Sequence, residues 1–146
     1  MEIERKFLVK EIPCLDGCEK SEIVQGYISL TPETRIRKRD NQYYLTVKGE
    51  GDVVREETEK LVSEKEGKEL FSKVESALIE KTRYLINIGS YIAELDIYKN
   101  RLQGLIVVEV EFETEADANS FVPPDWFGED ISKNKEYRNK VLAYKS

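Results

Sequence analysis

The sequence predicts a mainly β domain of the α+β kind: an eight-stranded antiparallel closed β-barrel enclosing a tunnel, with flanking helices. Three observations carry this. Apolar and polar residues alternate with period two along most of the chain, as strands require. Short turn signals separate the alternating segments, so neighbours in sequence run antiparallel. There are about eight such segments, and eight antiparallel strands can close into a barrel whose inward positions line a lumen. The 146 residues, 1–146, fit one domain.

The elements follow in order. Met1–Val9 sets Glu2, Glu4 and Lys6 against Ile3, Arg5 and Phe7. Ile23–Leu30 is strand-like and ends at Thr31-Pro32. Arg35–Arg39 alternates basic residues, and Asn41-Gln42 turns the chain into Tyr43–Lys48. Gly49-Glu50-Gly51-Asp52 is a turn before Val53–Val62. Ser63-Glu64-Lys65-Glu66 reads as a capping box, and Leu70, Phe71, Val74 and Leu78 supply a helical stripe behind it. Strands resume over Glu80–Asn87, turn at Gly89-Ser90, return through Tyr91–Lys99, and end with Leu105–Glu113 after a loop from Asn100 to Gly104. A short helix starts near Thr114 and stops at Pro123-Pro124. Trp126 and Phe127 then cover apolar surface, and a closing helix runs from about Lys133.

Charged residues make up 36% of the chain, above the usual share of about 25%. The net charge of -6 argues against a nonspecific nucleic-acid binder, which needs a basic face. It leaves room for a small anionic substrate held by a local cluster of cations. Histidine is absent, which removes histidine-based triads and imidazole metal sites. A metal would be held by carboxylates, which suit hard cations such as Mg²⁺ or Mn²⁺. Cys14 and Cys18 have neither redox nor zinc spacing and read as a reduced pair. No apolar run is long enough to span a bilayer and no secretory segment opens the chain. The expectation is a cytoplasmic protein with no membrane partner; a homodimer is compatible with the sequence.

The charge lies in stripes. Glu2, Glu4 and Lys6 share one strand face, with carboxylates at i and i+2 about 7 Å apart, within reach of a shared cation. Arg35, Arg37 and Arg39 share another, and guanidinium forks match phosphate oxygens. Lys48 ends the next strand. Arg55, Glu57 and Glu59 share a face, as do Lys81 and Arg83, Glu94 and Asp96, and Glu109 and Glu111. For any single stripe a solvated outer face is the competing reading. Opposite signs interleaved on strand after strand fit an enclosed ionic lumen better.

These residues resemble the CYTH superfamily, the triphosphate tunnel metalloenzymes. The likeness begins with MEIERKFLV and runs through QGY at Gln25–Tyr27, R-x-R at Arg35–Arg37, T-x-K at Thr46–Lys48 and R-x-E-x-E at Arg55–Glu59. It continues through E-K-T-R-Y at Glu80–Tyr84, E-L-D at Glu94–Asp96, V-E-V-E-F at Val108–Phe112 and K-x-Y-x-N at Lys135–Asn139. Any one motif is weak in so charged a chain; the ordered set is specific.

The resemblance implies a divalent-metal-dependent phosphohydrolase acting on inorganic tripolyphosphate or nucleoside triphosphates. Adenylyl cyclase and thiamine triphosphatase are alternatives within the family, and a non-catalytic polyphosphate or nucleotide binder is one outside it. It implies that Glu2, Glu4, Glu109 and Glu111 hold one or two Mg²⁺ or Mn²⁺ ions, with Asp96 a further candidate. Lys6, Arg35, Arg37, Arg39, Lys48, Lys81 and Arg83 would bind the phosphate chain, and Glu57 and Glu59 would orient those cations or a second metal. Lys135, Tyr137 and Asn139 either cap the barrel mouth or touch substrate. Tyr27 reads as structural.

Overall fold

A computed structural model of the chain describes residues 3–48 and 57–145. Nine strands run in chain order: β1 (Ile3–Val9), β2 (Glu19–Leu30), β3 (Glu33–Arg39), β4 (Gln42–Lys48), β5 (Glu57–Val62), β6 (Ile79–Ile88), β7 (Tyr91–Tyr98), β8 (Ile106–Phe112) and β9 (Phe127–Asp130). Three short helices accompany them: α1 (Glu64–Phe71), α2 (Glu115–Ser120) and α3 (Asn139–Tyr144). The chain divides into two compact units, residues 1–21 with 82–135 and residues 22–81 with 136–146.

In the first unit the strands follow the order β6-β7-β8-β1-β9. β1 pairs antiparallel with β8, setting Phe7 opposite Val108 and Arg5 opposite Val110, and β7 pairs with β8 through Ala93–Val110 and Leu95–Val108. These registers gather Phe7, Ala93, Leu95, Val108, Val110 and Phe112 on one face, where Ala118 of α2 and Phe127 of β9 pack on them. Aromatic rings fill the remaining space: Phe7–Phe127 and Tyr91–Phe112 each have centroids 5.0 Å apart, and Trp126–Phe127 4.4 Å. Arg5 shares this apolar face because its head is fully employed. It donates to the Ala118 and Phe121 carbonyls at 2.9 and 3.2 Å and reaches Asp130 at 3.1 Å. A cation there suits the carbonyl-rich end of α2. The other end is capped by Thr114, whose hydroxyl accepts from the Asp117 amide.

In the second unit the order is β5-β4-β3-β2. Ile36 and Tyr43 are buried there. The expected capping box opens α1: the Ser63 hydroxyl accepts from the Glu66 amide and the Glu66 carboxylate from the Ser63 amide. The helix is shorter than the apolar stripe suggested. It stops at Phe71, and Val74 and Leu78 lie beyond it, against Gly26 of β2, where a Cβ would collide with Val74. Backbone bonds from the Glu75 amide to the Tyr27 carbonyl and from the Ala77 amide to the Ala143 carbonyl hold this segment.

Three expectations change. The eight anticipated strands are joined by a ninth, β9, in the segment read only as apolar cover. The closing helix is a 3₁₀ turn at Lys135–Tyr137 followed by α3. Among the described residues the strand order ends at β5 and at β9, and no hydrogen bonds close it into a barrel. The physical reason lies at β1: β9 pairs with it through Phe7–Asp130 and Val9–Phe127, and the Ile131 amide bonds the Lys6 carbonyl. The β1 edge that closure would need is therefore already filled. Residues 53–56 of the strand expected from Val53, Arg55 included, lie outside the described residues, as does Glu2.

Gly67 of α1 sits directly on Tyr43, and an added Cβ would overlap the ring base. Helix propensity favours alanine over glycine by about 1 kcal/mol, but overpacking costs about 1–3 kcal/mol. Gly67→Ala should therefore lower stability in chemical denaturation; a more stable variant would show that the ring can move aside.

Candidate active site

The same alternation that buries hydrocarbon puts the charged residues on the opposite face. In the first unit Glu4 stands directly opposite Glu111, Lys6 opposite Glu109, and Glu94 opposite Glu109 from the other side. Paired positions present side chains to the same face, so β1, β7 and β8 together carry one ionic surface. It is wettest at Glu4 and Glu111, which are exposed, and driest at Asp96, which is buried beside Val107.

Arg83 of β6 is the most tightly held charge on that surface. Its Nε and Nη2 donate to the two Asp96 carboxylate oxygens at 2.8 and 3.0 Å, and its Nη1 lies 2.7 Å from Glu94. Burial by itself would depress the Arg83 pKa. The Asp96 hydrogen bond and the charges of Asp96, Glu94 and Glu109 outweigh it, so the guanidinium is held protonated more firmly than usual. Lys81, two positions earlier, is buried as well.

In the second unit Arg35, Arg37 and Arg39 align with Thr46, Tyr44 and Gln42 of β4 on one side and Tyr27, Gln25 and Ile23 of β2 on the other. Arg39 is at the exposed end. Arg37 Nη2 is 3.0 Å from Glu59, whose oxygen also accepts from the Thr46 hydroxyl at 3.5 Å, and the guanidinium lies 5.6 Å over the Tyr44 ring. Lys48 stands opposite both Glu33 and Glu57, with its Nζ 3.5 Å from Glu33. Burial raises the Tyr27 pKa, with the charge of Arg35 and its hydrogen bond acting the other way, so the phenol stays neutral.

The sequence-predicted residues are thus gathered into two ionic faces: Glu4, Lys6, Arg83, Asp96, Glu109 and Glu111 in one unit, and Arg35, Arg37, Arg39, Lys48, Glu57 and Glu59 in the other. Lys135 joins neither by any contact described; it is exposed on the 3₁₀ turn. The sequence reading passed over Glu33, which bridges Lys48 and, at 3.6 Å, Lys140 of α3. Its signal was present: Glu33 continues the period-two stripe of Arg35, Arg37 and Arg39.

Removing one partner of a largely buried ion pair costs far more than removing both. Asp96→Ala, which leaves Arg83 with Glu94 alone, should destabilise the protein by about 3 kcal/mol. Arg83→Met/Asp96→Leu should regain most of that. Urea denaturation of the two variants makes the comparison, and equal losses would show that the pairing contributes nothing specific.

The CYTH domain family model matches residues 1–141. The chain is 40% identical to an inorganic triphosphatase of Nitrosomonas europaea, covering 97% of this chain and 96% of that protein. It is 30% identical to an inorganic triphosphatase of Acetivibrio thermocellus, covering 97% and 92%. The solved structure of the inorganic triphosphatase NE1496 superimposes with a TM-score of 0.82 at 36% identity, covering all of this chain and 96% of that one. Matched along nearly its whole length in sequence and in fold, the chain belongs to the CYTH domain family.

Proposed function

We propose that this protein is a divalent-metal-dependent phosphohydrolase that cleaves the terminal phosphate of inorganic tripolyphosphate, of nucleoside triphosphates, or of both. The observation that carries the reading is the sorting of ionic residues. In each unit, Arg5 apart, the paired strands gather cations and carboxylates of both signs on the face opposite the hydrocarbon. The similarity to two inorganic triphosphatases supports the same substrate class.

A divalent cation fits the residues present. Glu4 and Glu111 are directly opposed, and like charges in that position repel unless a cation lies between them. Among the described residues no group of three or more acidic or thiol side chains converges on one point. That matches Mg²⁺ or Mn²⁺ held by one or two carboxylates, with phosphate oxygens supplying further ligands. Glu4 and Glu111 would hold it directly, with Glu2 and Glu109 acting through water, and Asp96 is a weaker candidate because Arg83 already engages both its oxygens. An ion held by these carboxylates would supply positive charge to offset that developing on the phosphate oxygens.

The chain's own residues bind and orient. Lys6, Arg35, Arg37, Arg39, Lys48, Lys81 and Arg83 hold the phosphate oxygens as cationic donors. Glu33 and Glu59 fix the directions of Lys48 and Arg37, so fewer rotamers are lost when substrate arrives. Glu57, opposite Lys48, serves likewise. Water attacks the terminal phosphorus in line with the leaving oxygen, and no side-chain nucleophile is required. No described helix is long and apolar enough to cross a membrane, in keeping with a cytoplasmic enzyme.

Phosphate release should be measured with tripolyphosphate, ATP, GTP and thiamine triphosphate, each with Mg²⁺ or Mn²⁺. Orthophosphate should appear with at least one, and ATP should give ADP rather than pyrophosphate and cyclic AMP. Glu4→Ala should lose on the order of 10²-fold or more in rate; undiminished metal-dependent turnover would refute its assignment.

A further inference from the structure

Gln25 lies in the middle of β2 and is 1% exposed. Its register partner on β3 is Arg37, and Tyr27, two positions on, is the partner of Arg35. Gln25 therefore presents its side chain to the cationic face of the second unit. Its Nε2 is buried and has no hydrogen-bond partner, and the same is true of Arg35 Nε.

Buried donors left unsatisfied are rare in folded proteins because they lose their hydration with nothing in return. Among the described residues neither donor meets an acceptor: the arginines beside them carry donors only, and the Glu59 oxygen nearest Arg37 is directed at Arg37 and Thr46. The two donors call for a group with several oxygens, no protons to donate, and negative charge to suit the guanidinium groups beside it. A phosphoryl group meets all three conditions.

We infer that Gln25 is a substrate-binding residue whose Nε2 donates to a phosphoryl oxygen of the triphosphate held by Arg35 and Arg37. The inference rests on the triphosphatase reading above and adds to it a neutral contact among charged ones. Salt screens the attraction between arginine and phosphate, whereas an amide hydrogen bond carries no net charge to screen. Gln25 would also reward the geometry of the phosphate chain rather than its charge alone.

The test compares wild type, Gln25→Met and Gln25→Glu. Methionine keeps the length of glutamine without its donor; glutamate keeps the shape and offers the arginines a carboxylate. Melting temperature is read with and without tripolyphosphate, and KM and kcat from phosphate release with Mg²⁺. For Gln25→Met the ligand-free melting temperature should equal or exceed that of wild type, because an unsatisfied buried donor is gone. Its KM should rise about tenfold with a smaller change in kcat, and the shift produced by tripolyphosphate should shrink. Gln25→Glu should raise KM further and melt no lower than wild type without ligand. A purely structural glutamine predicts the reverse: a lower ligand-free melting temperature with KM and ligand shift as in wild type. Wild-type KM in Gln25→Glu would overturn the inference even if Gln25→Met failed to fold. A wild-type protein that neither releases phosphate nor responds to tripolyphosphate would overturn the triphosphatase reading itself, and Gln25 with it.

Discussion

Everything at the candidate site depends on strand register, and register is set by the hydrocarbon face. In the first unit Phe7, Leu95, Val108 and Val110 must all lie under α2 and β9. A slip of one residue between β1 and β8 would turn Phe7 out of the core and Lys6 into it. Burying a large apolar side chain is worth about 1.5–3 kcal/mol, and several would be lost together. The packing energy of one face thus fixes which residues the other face displays. Glu4 meets Glu111, and Lys6 meets Glu109, because Phe7 meets Val108.

Upon that frame the polar groups fall into three kinds. Arg83 is committed, with three of its nitrogens engaged by two carboxylates. It shapes the local field and gives the surface rigidity. Arg35 and Gln25 keep buried donors in reserve. Lys48 and Arg37 lie between, each steadied by a carboxylate. A surface built this way is preorganised. Its dipoles and charges are already placed before an anion arrives, which is how electrostatic stabilisation becomes effective.

Much of this was legible in the sequence. Period-two alternation located all of β1 to β8, and the stripes named the ionic face because charge leaves the hydrocarbon side of a half-buried strand unless, as at Arg5, its head finds partners there. The capping box of α1 was readable for the same reason of local chemistry: Ser63 and Glu66 need only each other. What escaped had non-local causes. β9 is four residues long and too short to show periodicity; the edge of β1 creates it. The end of α1 at Phe71 is decided by Gly26, more than forty positions away, which gives Val74 and Leu78 a seat outside the helix. Gln25 looked like an ordinary polar residue in a motif. Its unsatisfied amide becomes visible only once its neighbours on β3 are known.

The neighbours of β1 carry a kinetic implication. Its hydrogen bonds go to β8 and to β9, and Arg5 reaches the Ala118 carbonyl across 113 positions of chain. Both partners lie far along the chain, so during synthesis this strand stays without either companion until they have been made. Closing so long a loop makes assembly of the unit slow compared with a helical bundle of equal size, and leaves a sticky ribbon exposed in the meantime. The alternation of Glu4 and Lys6 with Ile3 and Phe7 thus has a second use. It keeps the waiting ribbon charged on one side, a poor template for other nascent chains.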